Sequence, residues 1–327
     1  MAGQERILRR RIRSIQSTKK ITRAMELIAA SRIVRAQARV QAAVPYSDKI
    51  TEVVRDLAAA GAGVASPLLA PRELVHRVAH IVITADRGLC GGYNANVIRA
   101  TEGEMREWGE RNVDYGLVLV GRKAESYFRF RGFRIDEVFT GFSEQPTYEH
   151  ARAIARAVEP KFLGETYDRV DLVYTRFVSS GSQEVVVRPL MPLDRELIAG
   201  GDARPEVSEE GAIPASYEFE PGPDVILERL LPRYAEARIY AALLNAAASE
   251  QAARQRAMKA ATDNAEDLIV GLTRVMNRAR QDAITTEIME IVGGAEALRQ
   301  ARQAEHTTEP DRLLLDELRE QRHREAS

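Results

Sequence analysis

The chain has 327 residues, and its 47 basic and 48 acidic side chains leave a net charge of −1, so overall charge neither excludes nor recommends a class of partner. One cysteine, Cys90, excludes an internal disulfide framework. The five histidines (His76, His80, His150, His306, His323) lack metal-ligand spacing, and no apolar run approaches the roughly 20 residues that span a bilayer.

Residues 1–60 predict one long helix. After Gly3 they hold no glycine until the connector, and a single proline, Pro45. Apolar residues recur at Leu8, Ile12 and Ile15, then at Ile21, Met25 and Ile28, in the strides of three and four that draw a helical seam. Such a helix would extend roughly 80 Å at 1.5 Å per residue. Its Arg-rich start resembles a transit peptide in charge but runs straight into the helical pattern, and reads as mature sequence. Up to Lys49 it carries twelve basic residues against Glu5, Glu26 and Asp48, a local balance of +9 that calls for an acidic partner. "AAAGAGVASPLLAP" then reads as a connector.

Residues 72–195 change period. Strand-like runs at 80–86, 115–121, 135–141, 169–179 and 183–193 alternate with helical stretches near 93–109, 122–131 and 147–163. That alternation predicts a small Rossmann-like α/β domain on a parallel sheet, with the last two strands forming a hairpin through "SGS" at its edge. An acidic segment rich in Pro and Gly follows at 196–223, expected as a loop.

The helical pattern returns over 224–298. A seam runs Leu268, Leu272, Val275, Ala279, then, after a skip of five, Ile284, Ile288, Ile291, Ala295 and Leu298. A helix of that length, on the order of 110 Å, cannot be buried in one α/β domain. Two long terminal helices that enter and leave the same domain bury their seams most simply against each other. The predicted fold class is therefore α/β plus a long antiparallel coiled coil. Residues 299–327 form a charged extension, in which Leu313, Leu314 and Leu318 could line one side of a short helix opened by Glu309 and Asp311.

Three separated motifs, in order, carry a resemblance. "RRRIRSIQSTKKITRAMELIAASRI", "ITADRGLCGGYNANVIR" and "ASEQAARQRAMKAATDNAEDLI" with "NRARQDAITTEIMEIVGGAEAL" resemble the gamma subunit family of F-type ATP synthases over residues 2–298. A chloroplast form would carry a regulatory cysteine pair, so the single Cys90 implies the bacterial form. The resemblance implies a non-catalytic central shaft without cofactor. Its coiled coil would enter a head of three alpha and three beta subunits, and its base would sit with the epsilon subunit on the membrane c-ring. It also implies a peripheral place on the cytoplasmic face of the bacterial plasma membrane, reached through the complex alone.

The same resemblance nominates partner-binding residues. Arg9, Arg10, Lys19, Lys20 and Arg23 would meet an acidic lever of the beta subunits, with Met25 beside it. Asp86, Arg87 and Cys90, in the glycine-rich turn, would lie close to that lever. Arg254 would engage a loop at the base of the beta subunits, against the alternative of a solvated helix face. Gln281, Thr285 and Glu287 would contact the alpha–beta collar where the seam skips, against the alternative that Thr285 bonds a backbone carbonyl of its own helix.

Two other readings compete. In a nucleotide-binding protein the dinucleotide fingerprint would need glycine at positions 90 and 93, where Cys90 and Tyr93 stand, and the P-loop pattern fails at Tyr93 and Asn94. A basic nucleic-acid-binding coiled coil would want a stacking platform, yet residues 1–45 hold no aromatic side chain.

Overall fold

The computed structural model describes residues 2–59, 66–70, 72–193, 220 and 222–325. Nearly all of the acidic loop expected at 196–223 lies outside the described residues, as do the side chains of Glu309, Asp311, Leu313, Leu314 and Leu318. The elements in chain order are α1 (Ala2–Ala59), β1 (Arg77–Ile83), α2 (Tyr93–Glu110), β2 (Asp114–Val120), α3 (Arg122–Phe130) and β3 (Glu137–Phe139). They continue with α4 (Tyr148–Leu163), β4 (Arg169–Phe177), β5 (Gln183–Met191) and α5 (Pro223–Glu325). The chain divides into two compact units, Ile21–Ala261 and the pair Met1–Lys20 with Thr262–Ser327.

The Ile21–Ala261 unit is built on one sheet in the order β3-β2-β1-β4-β5. The first four strands are parallel, and β5 returns antiparallel beside β4 as the expected edge hairpin. Strands buried on both faces favour apolar side chains at successive positions, which is why "IVI" and "LVLV" read as unbroken apolar runs. One face presents Ile81, Val118 and Leu172 to Ile154 and Phe162 of α4, with Val54 and Leu57 of α1 and Leu227 and Leu231 of α5 in the same core. Late residues of α1 thus share a core with early residues of α5, so the two helices run antiparallel here. The opposite face packs Val82, Leu119 and Val173 against Val97 of α2 and Phe128 of α3. β3 is shorter than its expected span because it pairs only with Val118–Val120.

The seam of α1 differs from the expected one beyond Ile15. The inward positions are Thr22, Glu26, Ala29, Ile33 and Ala36, all buried, while Ile21 and Ile28 are 61% and 52% exposed. Apolar spacing misassigned the register because polar Thr22 and Glu26 occupy inward positions and isoleucines face out.

In the unit of Met1–Lys20 with Thr262–Ser327, Lys19 reaches across from α1 to Glu266 of α5 at 3.1 Å. Beyond Leu268 the half-buried positions of α5 are Ile269, Leu272, Thr273, Met276, Ala279, Ala283 and Thr286, and apart from Thr273 they advance in strides of three and four. The expected skip between Ala279 and Ile284 is therefore absent from the helix itself. It arose because Ile284, Ile288 and Ile291 sit off the half-buried line and face outward. α5 also continues as one helix past Leu298 to Glu325, where a separate short helix was expected.

Candidate partner-binding site

The turn after β1, "TADRGLCGGYN", is held by its neighbours before it can hold anything else. The Thr84 amide and hydroxyl both donate to the Val120 carbonyl, at 2.8 and 3.1 Å, and the same hydroxyl accepts from the Ala124 amide at 3.0 Å. Facing it, Gly121 has φ +95°, and a Cβ there would stand 2.3 Å from the Thr84 carbonyl oxygen, so only glycine fits.

Asp86 is spent inside the unit. Its carboxylate accepts from the amides of Arg122, Gly141 and Ser143 at 3.1, 2.9 and 3.0 Å, and its own amide donates to the Ser143 hydroxyl at 2.9 Å. Burial pulls its pKa up, but these amides and the Ser143 hydroxyl outweigh burial and hold it below the ordinary carboxylate value. Asp86 is thus a clamp that seats the 141–144 loop beside the glycine turn.

That loop delivers Glu144, on which three guanidinium groups converge: Arg32 of α1 at 2.5 Å, Arg87 at 3.7 Å and Arg254 of α5 at 3.9 Å. Arg254 is bonded a second time to Glu250, one helical turn before it, at 2.7 Å, and donates to the Gly88 carbonyl at 3.4 Å. Burial pushes the Glu250 carboxyl upward, and Glu144 adds to that; Arg254 opposes both. Gly91, at φ +59°, turns the chain beside Ala257, whose Cβ would lie 3.7 Å from any side chain added there. Tyr93 locks the same contact by donating to the Ala246 carbonyl at 3.2 Å. The run of alanines in α5 allows this close approach.

The nominated residues divide by placement. Arg254 is 6% exposed and paired with Glu250 and Glu144 within the chain, so it does not lie on a solvated face. Cys90 is buried, its sulfur takes a bond from the Asn94 amide group at 3.1 Å, and burial pushes its thiol pKa up, against a nucleophilic role. Arg87 is two-thirds exposed, and Arg10, Lys20 and Arg23 are exposed on α1. Arg9 is exposed but bonded to Glu5, Lys19 is half-buried against Glu266, Arg23 grips Glu26 at 2.9 Å, and Met25 is half-buried. Gln281, Thr285 and Glu287 are exposed on α5, and the Thr285 hydroxyl donates to the Gln281 carbonyl at 3.0 Å, as the backbone alternative expected. Sequence reasoning missed Arg32, Ser143, Glu144 and Glu250. Only Glu250 left a signal, its spacing of four from Arg254 on one helix.

Further along α5 the outward apolar residues are open: Ile284 45%, Ile288 54%, Met289 68%, Ile291 72%, Val292 59% and Leu298 68% exposed. Among the described residues no helix is long and apolar enough to cross a membrane, and no three metal-ligating side chains assemble.

The family model described as ATP synthase matches residues 4–298. The ATP synthase gamma chain of Frankia casuarinae is 52% identical over 303 residues, covering 91% of this chain and 99% of that one. The gamma chain of Mycolicibacterium vanbaalenii is 49% identical over 319 residues, 92% and 100% of the two chains. Among solved structures, a chain from the central stalk and c-ring of the Tetrahymena thermophila mitochondrial ATP synthase is 25% identical with a TM-score of 0.53, covering 74% of this chain and 99% of that one. A chain from the Euglena gracilis mitochondrial ATP synthase, 17% identical, superposes with a TM-score of 0.64 over 92% of this chain and 97% of its own, and shares the fold.

Proposed function

The chain belongs to the gamma chain family of ATP synthases, and from that premise we propose how this non-catalytic central-stalk subunit does its work. It is the rotor shaft that couples proton-driven turning of the c-ring to ATP synthesis in the alpha–beta head. The base formed by the sheet sits with the epsilon subunit on the c-ring, at the cytoplasmic face of the bacterial plasma membrane. Rotation favours in turn each of the conformations in which a beta subunit holds nucleotide differently.

The observation that carries this reading is the open apolar face of α5 from Ile284 to Leu298. A contiguous exposed apolar surface in a single chain marks an interface. Uncharged side chains turn inside a sleeve without breaking ion pairs at each step. Arg9, Arg10, Lys20 and Arg23, with Met25, meet the beta levers as the shaft turns, and Arg87 adds to that contact beside the glycine turn. Gln281, Thr285 and Glu287 meet the collar. Arg254 and Cys90 act from within, by keeping the turn seated on α5.

The test is ATP synthesis by the assembled complex in energised vesicles. Ile288→Asp together with Ile291→Asp is expected to leave the base assembled and to reduce synthesis about tenfold or more, one buried charge in an apolar sleeve costing well over 1.4 kcal/mol. Unchanged synthesis in that variant overturns the sleeve reading.

A further inference from the structure

His80 of β1 is a buried polar group that the fold of the Ile21–Ala261 unit leaves unused. No part of it is exposed, and among the described residues neither ring nitrogen has a hydrogen-bond partner. Native structures pair nearly all buried polar groups, so an orphan calls for a reason. His80 lies two positions before Val82 and therefore on the sheet face that Val82 presents to Val97 of α2. On that face α2 packs against β1 and β4, and α3 against β2.

The neighbouring elements bring charge to this spot. β4 supplies Asp171, the register partner of His80 and itself buried, and Arg169, whose Nε donates to both Asp171 oxygens at 2.9 and 3.1 Å. The Arg169 guanidinium also stands 5.5 Å from the ring centre of Trp108, near the end of α2, and Arg111 stands 5.1 Å from the same ring. α2 brings Glu104 as well, whose carboxyl is pushed up by burial and then by the charges of Asp171 and Glu107, against Arg169 and Arg111. β2 and α3 contribute Tyr115 and Tyr127.

The other end of α2 begins in the glycine turn. Asn94, in its first turn, accepts from the Ala85 amide at 2.8 Å and donates to the Cys90 sulfur at 3.1 Å, while Tyr93 donates to the Ala246 carbonyl of α5 at 3.2 Å. A movement of α2 away from the sheet therefore reaches the contact between the turn and α5.

We propose that His80 is an acid-sensitive catch: when it takes up a proton, α2 parts from the sheet and the glycine turn loosens from α5. A neutral ring is tolerated under α2, but an imidazolium there is cut off from water and faces a carboxylate already held by Arg169. Burial first, then the Arg169 charge, lowers the closed-state pKa of His80 from 6.5 to about 4. The open state keeps the higher value, so opening gains as pH falls through 6.5 and stops gaining near 4. Asp171 and Glu104 work in the opposite sense, because burial pushes their carboxyls up and acid favours their closed, protonated forms. A chain without His80 should therefore lose the response or reverse it.

Cys90, the one thiol of the chain, is buried at this contact and reports its opening. The experiment is the labelling rate of Cys90 in the full chain between pH 7.5 and 5, divided by that of an unstructured cysteine peptide at the same pH, which removes the thiol's own pH dependence. The relative rate is expected to rise about 25-fold on going to pH 5, and to climb only shallowly with low urea, as a local opening does. In His80→Gln and His80→Val it should stay flat or fall; both remove the charge, so the one that folds decides. A flat profile in the unaltered chain, a rise that persists in the variants, or a urea slope equal to that of global unfolding overturns the proposal. The catch belongs to this unit alone, so its failure leaves the shaft reading as it stands.

Discussion

At the scale of single residues, the buried polar groups divide into satisfied and unsatisfied ones, and their predicted effects have opposite sign. Glu144, half-buried, is satisfied by three guanidinium groups, of which Arg254 is buried and Arg32 and Arg87 are more open. Glu144→Gln removes the shared counter-charge, and the chain should lose about 2 kcal/mol of stability, the range for hydrogen bonds to charged groups; denaturant midpoints measure this. Gly121→Ala should cost about 3 kcal/mol or more, because both the positive φ and the 2.3 Å approach to the Thr84 carbonyl oppose any side chain. His80 is the opposite case. It is fully buried in β1, neither ring nitrogen has a hydrogen-bond partner among the described residues, and burial first, then the Arg169 charge, lowers its pKa from 6.5 to about 4. The folded pKa lies below the unfolded one, so between pH 6.5 and 4 the unfolded chain binds the extra proton. His80 therefore costs nothing by this route above pH 6.5, and stability falls as pH drops towards 4. His80→Val should flatten that part of the pH profile and leave the chain at least as stable at pH 7. A profile of unchanged slope would count against the assignment.

At the scale of elements, the sheet was legible in the sequence and the helical seams were only partly so. Parallel strands buried on both faces are mostly apolar at consecutive positions, and the runs at 81–83, 117–120 and 172–174 announce β1, β2 and β4 for that reason. The seams mislead because two demands share one helix. Thr22 and Glu26 serve the inner line of α1, while Ile21 and Ile28 face outward. In α5 the small residues Ala279 and Ala283 continue the inner line, and the isoleucines that looked like its continuation belong to another surface. The site was half legible: the glycine turn and Arg254 stood out, but Glu144 lies more than a hundred residues from the helix residues it joins, and no local pattern signals a contact of that range. Gly293 and Gly294 offer a test at this scale. A Cβ on either meets nothing within 4 Å, so alanine at both should raise the local helix stability by about 1 kcal/mol each. Slower amide exchange around 290–298 measures that gain.

At the scale of the whole molecule, the chain is nearly neutral, yet up to Lys49 its first helix holds the +9 balance. Association with an acidic partner should therefore weaken steeply with salt even though the chain as a whole carries a net charge of −1. The open apolar residues of α5 carry the complementary expectation. The isolated chain should bind an apolar dye and self-associate, and both behaviours should disappear on assembly with its relatives' kind of partner subunits, as followed by dye fluorescence and light scattering.

The solitary buried thiol has a practical consequence. Thiol reagents attack the thiolate, and Cys90, shielded and with its pKa pushed up, offers little of it. A second cysteine placed where Phe130 stands 88% open, as Phe130→Cys, would be modified first. A fluorophore or a bead can then be attached at one known point on the base without removing Cys90, and the native turn stays intact while its motion is recorded.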